Sequence, residues 1–392
     1  MSNEKYGIVL FKNTCNLGDD IQTYAASKFL PKIDYVLERE ELSYFCPNES
    51  EKVKVIMNGW YNHDKTQFLI SPFIDPLYVS VHFSENDLIL SRGYTYLDGY
   101  AKETMSKYTI GCRDKTTLEV LKEKGYPNAY FSSCLTTTIN PIGEKKTEDY
   151  IVAVDMNPKI IEHLRKITDL KIIETSHWLC VNPKDSYEER KKKIDRFAYA
   201  DEKLRKKIVE KHANMSFEER MKLVENQLKL YQNAKLVITD RIHVGLPCLG
   251  LRTNVLLIYY DYNKDRIETF KELITNCTEE EFLKMTKKEL LKVKNKNTYV
   301  KYRNNLISTV EKFVKEEKTT KPLIDIETFK NINIKREEYI KDLYKEKIKE
   351  LEKEIKKKEK EKKVLQTSAD KYNQITSSRS WKLFGIYYRN KM

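Results

Sequence analysis

One stretch decides the fold class: Leu236-Val-Ile-Thr-Asp240-Arg241-Ile242-His243-Val-Gly-Leu-Pro247-Cys-Leu-Gly-Leu251, followed by Val255-Leu-Leu-Ile258. It predicts a buried strand, a polar turn, a short helix and a second strand, because apolar runs flank Asp240, Arg241 and His243. Open α/β sheets bind ligands at the carboxyl ends of their parallel strands. The N–H groups that begin the helix add partial positive charge there. We therefore expect the turn to bind a small anion beside a proton donor.

The rest of the chain alternates strands and helices in two blocks. Apolar runs predict strands at 6–11, 53–57, 77–83, 108–112, 130–134, 150–155, 170–174, 236–239 and 255–258. Capping boxes predict helix starts at Thr116/Glu119 and at Ser216/Glu219. A linker at 140–149 separates the blocks. The pattern predicts an α/β protein with two doubly wound domains, residues 1–140 and 150–330, facing a cleft.

The basic character belongs mostly to the C-terminal tail. The chain of 392 residues carries a net charge of +13, but residues 331–392 supply eight of these charges. A nearly balanced body argues against nucleic acid as a partner. Seven cysteines without a CxxC pair indicate buried thiols in a reducing cytosol. Since no signal peptide or spanning helix is apparent, we expect a cytoplasmic protein.

The tail itself divides into two segments. Residues 335–372 predict a charged helix, and residues 373–392 mix aromatic and basic side chains. Tyr344, Ile348, Leu351 and Ile355 keep heptad spacing, but the next positions are lysines. This favours a solvated helix or a weak oligomer seam over a stable coiled coil. The composition of 373–392 suits the inner face of a membrane or a protein partner.

Arginines follow strands in both blocks. Arg241 with His243, and Arg113 after the strand at 108–112, could form two halves of an anion clamp, because guanidinium binds carboxylate or phosphate with two hydrogen bonds. The structural alternatives are a pair between Arg241 and Asp240, a backbone-satisfied histidine, and a salt bridge between Arg113 and Asp114. The sequence leaves these open.

Other polar residues are candidates for the acceptor side or for support. Asp19 or Asp20 could position a sugar hydroxyl, although one of them is expected to cap the first helix. The remaining candidates stand at strand ends, where aromatic and histidine side chains are commonly structural: Asn58, Trp60, His82, His177 and Asp240.

Several enzyme classes lose support. A GxGxxG motif after the first strand and a GxxxxGK[ST] motif are both lacking, and no His/Cys/Asp set has zinc spacing. Nicotinamide dehydrogenases, P-loop NTPases and zinc enzymes are therefore disfavoured, and we expect no metal and no organic cofactor.

Five ordered segments resemble the polysaccharide pyruvyl transferase family. They are Gly7–Leu30 with its Asn16-Leu-Gly-Asp-Asp-Ile-Gln22 core, Val55-Ile-Met-Asn-Gly-Trp60, Ile110-Gly-Cys-Arg-Asp114, Tyr130-Phe-Ser-Ser-Cys-Leu-Thr136 and Thr239-Asp-Arg-Ile-His-Val-Gly-Leu-Pro-Cys248. The resemblance implies two Rossmann-like domains, similar to the arrangement of GT-B glycosyltransferases. The 1–140 domain would face the acceptor and the 150–330 domain the donor.

The resemblance also implies a reaction. Such enzymes move the pyruvyl unit of phosphoenolpyruvate onto two hydroxyls of a sugar residue, releasing phosphate and leaving a cyclic ketal. The family's Arg-Leu-His motif, which binds the donor or acts in catalysis, maps to Arg241, Ile242 and His243. Its other donor-binding arginine maps to Arg113. Ser133 stands where glycine is frequent, and the 251–254 segment replaces a Gly-x-Pro turn, adding a cation.

Physical chemistry agrees with that reaction. Two arginines and a helix N-terminus can neutralise both anionic ends of the donor. His243 is the expected general acid, since an ordinary imidazole pKa of about 6.5 permits proton exchange near neutral pH. The expected acceptor is a bacterial surface glycan or its lipid-linked oligosaccharide precursor, and a homo-oligomer is conceivable. The rivals are a glycosyltransferase using a nucleotide sugar and a non-catalytic assembly scaffold.

Overall fold

The computed structural model describes residues 4–61, 68–83, 97–182, 185–260, 264–316, 322 and 324–377. The chain divides into two compact units, Met1–Leu323 and Ile324–Met392. The first unit contains two parallel sheets, and the second is dominated by one long helix.

The first sheet has six parallel strands in the order β2-β1-β3-β4-β5-β6. Seven of the eight residues of β3 are buried, as expected for a strand covered on both faces by helices. The strand bounds are β1 Lys5–Leu10, β2 Tyr35–Glu38, β3 Val53–Trp60, β4 Ile74–His82, β5 Ile110–Cys112 and β6 Ala129–Phe131.

The second sheet has five parallel strands in the order β11-β10-β9-β7-β8. Its strands are β7 Glu148–Val154, β8 Lys171–Thr175, β9 Ala234–Thr239, β10 Val255–Tyr259 and β11 Asn276–Thr278. Counted from its own first strand, each sheet places its second strand on one side and its third on the other. The strand order therefore reverses between β1 and β3 and again between β7 and β9, which are the positions where doubly wound sheets bind ligands.

Helices cover both sheets. In the described part of the chain their bounds are α1 Leu17–Ser27, α2 Tyr100–Met105, α3 Lys115–Glu123, α4 Pro158–Ile167, α5 Tyr187–Ala198, α6 Glu202–Ala213, α7 Phe217–Asn233, α8 Ile242–Gly250, α9 Lys264–Lys271, α10 Glu279–Leu283, α11 Lys287–Leu290, α12 Val300–Lys315 and α13 Ile326–Ser377. Short 3-10 turns lie at Arg39–Glu41 and Leu135–Thr138.

The two lobes share one apolar core. The cluster that contains Leu17 and Ile21 of α1 also contains Val224 and Leu228 of α7 and Val244 of α8. Burial of apolar side chains is the main favourable contribution to folding, so this shared cluster joins the lobes firmly.

A buried ion pair and a returning helix also connect the lobes. Asp20 of α1 lies 2.6 Å from the Arg220 guanidinium and 2.7 Å from His212 Nε2. At the end of α12, the Val314 carbonyl accepts a hydrogen bond from the Tyr6 hydroxyl at 3.0 Å, and Lys54 Nζ donates to the Phe313 carbonyl at 2.9 Å. Thus α12 reaches the first sheet, although the sequence assigned it to the second domain.

The predicted fold class, two Rossmann-like lobes followed by a helical tail, is confirmed. Sequence reading missed β2 and β11, which are only four and three residues long. The capping box at Ser216 is confirmed, but the one at Thr116 is wrong, because Asp114 caps α3 by accepting from the Thr117 N–H. The tail helix begins at Ile326 rather than 335. The aromatic and basic segment lies outside the described residues from 378 onward.

Candidate functional site

The polar turn after β9 places Arg241 at the start of α8. Arg241 has an extended backbone and is the N-cap residue, so the helix begins at Ile242 and His243 lies in its first turn. Its Nε lies 3.2 Å from Asp155 Oδ2 and 3.1 Å from Asp240 Oδ1. The guanidinium also lies 5.8 Å from the centre of the Trp178 ring. About a third of this side chain is exposed, which leaves it accessible to an anion that could compete with the two carboxylates.

Arg113 of the first lobe contacts His243 of the second. It follows β5, and its backbone N–H bonds to the Val81 carbonyl at 2.8 Å, which fixes the chain at the end of β4. Arg113 Nη1 lies 3.3 Å from His243 Nε2 and 3.4 Å from Gln22 Oε1. Arg113 and His243 are only 3% and 6% exposed. Arg113 of one lobe and His243 of the other are therefore neighbours at a buried interface.

Gly18 lies between two histidines. A Cβ atom at this position would be 2.6 Å from His243 Nδ1 and 2.7 Å from His177 Nε2, closer than real contacts permit. The start of α1, which carries Gly18, is held by a backbone bond from the Leu17 N–H to the His177 carbonyl at 3.0 Å. Only glycine allows both imidazoles to approach the start of α1 so closely. His177, a weak candidate from the sequence, thus joins His243.

Asp155 connects this cluster to Arg241, and sequence reasoning missed it. Its carboxylate accepts from the Ser176 hydroxyl at 2.7 Å, from the His177 N–H at 3.2 Å and from Arg241 Nε at 3.2 Å. Its φ of +56° is uncommon for a non-glycine residue. Strain of this kind often occurs at functional sites. The signal that the sequence itself offered was an aspartate at the end of an apolar strand.

One of the predicted acceptor-side residues is structural. Asp20 is fully buried and bound to Arg220 and His212, so it is removed as an acceptor-contacting candidate. The sequence predicted that Asp19 or Asp20 caps the first helix. This prediction is wrong, because Asn16 caps α1 by accepting from the Gly18 N–H.

Asp19 keeps a place near the site. It accepts from the Thr14 hydroxyl at 2.8 Å and lies 3.4 Å from the Arg39 guanidinium. Burial raises the pKa of Asp19 above its ordinary value, and the charge of Arg39 and the bond from Thr14 offset only part of that rise. Arg39 also stacks on Phe11 and faces the Trp60 ring at 5.7 Å, which associates Trp60 with this group.

Asn58 and His82 make internal contacts. Asn58 Nδ2 donates to the Gln22 carbonyl at 2.9 Å, which ties β3 to α1. His82 Nδ1 lies 2.6 Å from Asp114 Oδ2. Burial by itself raises the pKa of the Asp114 carboxyl, but the bond from His82 and the charges of His82 and Arg113 hold it well below its ordinary value. The predicted pair of Arg113 with Asp114 is present at 3.5 Å, alongside the contact with His243.

The two departures from the family pattern have different consequences. Ser133 adopts a φ of +65°, a left-handed conformation that favours glycine. Arg252 lies past the last residue of α8 and is exposed, at the opposite end of that helix from His243. The added cation therefore does not join the cluster around His243.

Metal-binding clusters and membrane-spanning helices were both sought in the structure. Among the residues that the structure describes, no three or more His, Cys, Asp or Glu side chains are grouped to hold a metal ion. In the same part of the chain, no helix combines the length and apolar character needed to cross a bilayer.

Comparison with solved structures finds distant resemblance. A UDP-N-acetylglucosamine 2-epimerase covers 83% of this chain and all of its own, at 10% identity and a TM-score of 0.40. The corresponding epimerase of Methanocaldococcus jannaschii, solved with UDP-GlcNAc and UDP, covers 86% of this chain and 99% of its own, at 12% identity and 0.32. An uncharacterised protein from Klebsiella pneumoniae covers 68% and 88%, at 12% and 0.31. No curated protein matches the sequence.

A family model gives the assignment. It spans residues 16–262, from the start of α1 through the strand that follows α8, and includes Arg113, Arg241 and His243. Because it covers more than half of the chain, the match shows the family. The chain belongs to the polysaccharide pyruvyl transferase family.

Proposed function

We propose that the protein transfers the pyruvyl group of phosphoenolpyruvate to a sugar residue of a bacterial surface polysaccharide or of its lipid-linked precursor. The product is a cyclic ketal, and phosphate is released. The observation that carries this proposal is the 3.3 Å contact between Arg113 of one lobe and His243 of the other. Family membership supports the same reaction class.

The donor would bind where the two arginines flank the N-terminus of α8. Phosphoenolpyruvate carries a carboxylate and a phosphate, and each can receive two hydrogen bonds from a guanidinium. Arg241 is paired with Asp155 and Asp240 in the structure. The donor would replace one or both carboxylates as the partner of Arg241. Until then the two carboxylates keep the guanidinium in position, and they compete with anions that bind more weakly than the donor.

The contact with Arg113 bears on where His243 carries its proton. Arginine can only donate hydrogen bonds, so a bond from Arg113 would be made to the form of His243 whose Nε2 carries no proton. A bound dianion would engage the Arg113 guanidinium and favour the protonated imidazole. In this scheme the donor itself brings His243 to the acid form that the reaction needs.

The chemical step then balances without a redox partner. His243 gives a proton to the methylene carbon, one sugar hydroxyl attacks the adjacent carbon, and phosphate leaves as its C–O bond breaks. The second hydroxyl closes the ketal ring. Of the two hydroxyl protons lost, one replaces the proton given to the methylene and the other leaves with phosphate. Asp19 and Trp60 are the proposed acceptor-side residues, and no metal or organic cofactor is needed.

The test supplies phosphoenolpyruvate, or in parallel nucleotide sugars, with candidate glycans and lipid-linked oligosaccharides. Mass spectrometry would detect the added pyruvyl ketal, and phosphate release would give the rate, with and without a metal chelator. We expect R113A and H243N to lose at least about 100-fold in kcat/KM. R252A is the matched control, since it removes an exposed cation from the far end of the same helix. Product from a nucleotide sugar alone, or full activity in H243N, would overturn the proposal.

A further inference from the structure

Two cysteines from different lobes meet beside the candidate site. Cys15 lies in the loop after β1, three residues before Gly18, and Cys180 follows His177 by three residues. The sequence predicted only that the seven cysteines are buried thiols. The tertiary structure instead brings this pair together, although the two residues are 165 positions apart in the chain.

The backbone pairing of the two loops sets the geometry. Asn16 and Trp178 form an antiparallel bridge between the lobes. On one side the Leu17 N–H bonds to the His177 carbonyl at 3.0 Å, and on the other the Leu179 N–H bonds to the Cys15 carbonyl at 2.7 Å. The chain turns at Leu179 and Cys180, directly after this bridge, so Cys180 is the next residue after the one whose N–H bonds to the Cys15 carbonyl.

The Cys15 and Cys180 thiols lie close enough for each to shift the pKa of the other. Cys15 is 1% exposed, whereas Cys180 is partly exposed and therefore accessible to a small reagent. Interaction with the Cys15 thiol lowers the pKa of Cys180, and the positive charge of Lys193 acts in the same direction. Cys180 thus has the features of an attacking thiol, with Cys15 as the resolving thiol.

We propose that Cys15 and Cys180 form a reversible disulfide that fastens the two lobes together across the candidate site. The oxidant is a small-molecule disulfide such as glutathione disulfide. The Cys180 thiolate attacks one of its sulfurs and releases one small thiolate. Cys15, after losing its proton, attacks the Cys180 sulfur and displaces the second small thiol. The two protein thiols lose two protons and two electrons, and the reagent gains them as two thiols.

The consequence for function follows from the burial of the cluster. Arg113, His177 and His243 are at most 6% exposed, so an anion can contact them only when the paired loops move apart. A covalent link between residues 15 and 180 holds these loops together. Oxidation would therefore block donor access, and reduction would restore it. This consequence rests on the proposed function, whereas formation of the disulfide does not.

The first experiment measures the bond itself. The full-length protein is equilibrated in glutathione buffers of increasing oxidised fraction, denatured, alkylated and mapped by mass spectrometry. We expect a loss of two hydrogens and one linked peptide pair that contains Cys15 and Cys180. A lasting glutathione adduct on Cys180 would overturn the proposal. So would a Cys15 thiol that is still free to be alkylated at every oxidised fraction of glutathione.

A second readout reports the link between lobes directly. A protease site is inserted at exposed Gly143 between the two sheets, and the cleaved protein is run on a denaturing gel without reductant. We expect the halves to stay joined only after oxidation, in the parent and in C46S, and to separate in C180S. If a variant fails to fold, the comparison of oxidised with reduced parent protein still shows whether the two halves become linked.

Activity supplies the last comparison. Oxidised parent protein should lose at least about tenfold in phosphate release and recover with dithiothreitol, while C180S under the same oxidant should not change. A linked protein that turns over at the full rate refutes the blocking role. Absence of pyruvyl transfer in reduced protein refutes the proposed function instead and leaves the mapping result standing.

Discussion

Replacing Gly18 with alanine tests whether the two histidines must approach the start of α1. The new Cβ would lie 2.6 Å from His243 Nδ1 and 2.7 Å from His177 Nε2, whereas ordinary contacts begin at 3.4 Å. Each ring must therefore retreat by about 0.8 Å, and both are buried and cannot swing into solvent. A displacement of about 1 Å in a catalytic group costs on the order of 100-fold in rate.

The effect on stability should be much smaller. Overpacking costs about 1–3 kcal/mol, while alanine is favoured over glycine in a helix by up to about 1 kcal/mol. We expect the free energy of unfolding of G18A, from urea titration, to fall by no more than about 2 kcal/mol. Phosphate release from phosphoenolpyruvate should fall by about 100-fold in kcat/KM. The NMR signals of the His177 and His243 rings should shift, which is a readout independent of activity.

Gly245 provides the matched control. It is also a helical glycine, and its added Cβ would meet the Ile274 Cδ1 methyl at 2.9 Å, the movable end of a side chain. G245A should change stability to a similar extent and retain most of the turnover. If G18A turned over like the parent protein with unshifted histidine signals, the argument that these rings act at this position would be refuted.

Four further outcomes are expected. D20A should lose about 3–5 kcal/mol of unfolding free energy in urea titration, because the charge of Arg220 stays buried without its partner. The lowered pKa of Asp114 stabilises the fold above the ordinary aspartate pKa of about 4, and this contribution is lost as pH falls toward the folded-state value. Urea midpoints between about pH 2 and 5 should therefore depend less on pH in D114N. S133G should gain about 1 kcal/mol by relieving the φ of +65° and removing a buried hydroxyl without a partner, whereas S133A should gain less. Removing 335–392 should preserve in vitro turnover, whereas a full-length protein without turnover that loses its role in glycan assembly on this deletion would favour the scaffold alternative.

Local sequence pattern was sufficient to predict the turn residues. Arg113 and Arg241 each stand between an apolar run and a helix start, and the structure places both at the carboxyl ends of strands. Those positions depend only on hydrophobic periodicity and helix signals, which act over a few residues. The long strands and the division into two sheets were predictable for the same reason.

The contacts within the site were not predictable in this way. The approach of Gly18 to two histidines depends on how α1 docks against the second lobe, and no local pattern encodes that docking. Asp20 was misassigned because an acidic residue near a helix start resembles a cap, yet its partners lie about 200 positions away in the chain. Short edge strands such as β11 carry too few residues for a period to be recognised.

The core that runs without interruption between the sheets limits how this enzyme family can be recombined. A chimera joined at 140–149 would combine α1 of one parent with α7 and α8 of another, so side chains that pack in one cluster would come from different parents. If the second parent had no arginine at position 220, the carboxylate of Asp20 would be buried without this partner. Exchange of segments between relatives therefore requires that α1, α7 and α8 be transferred together.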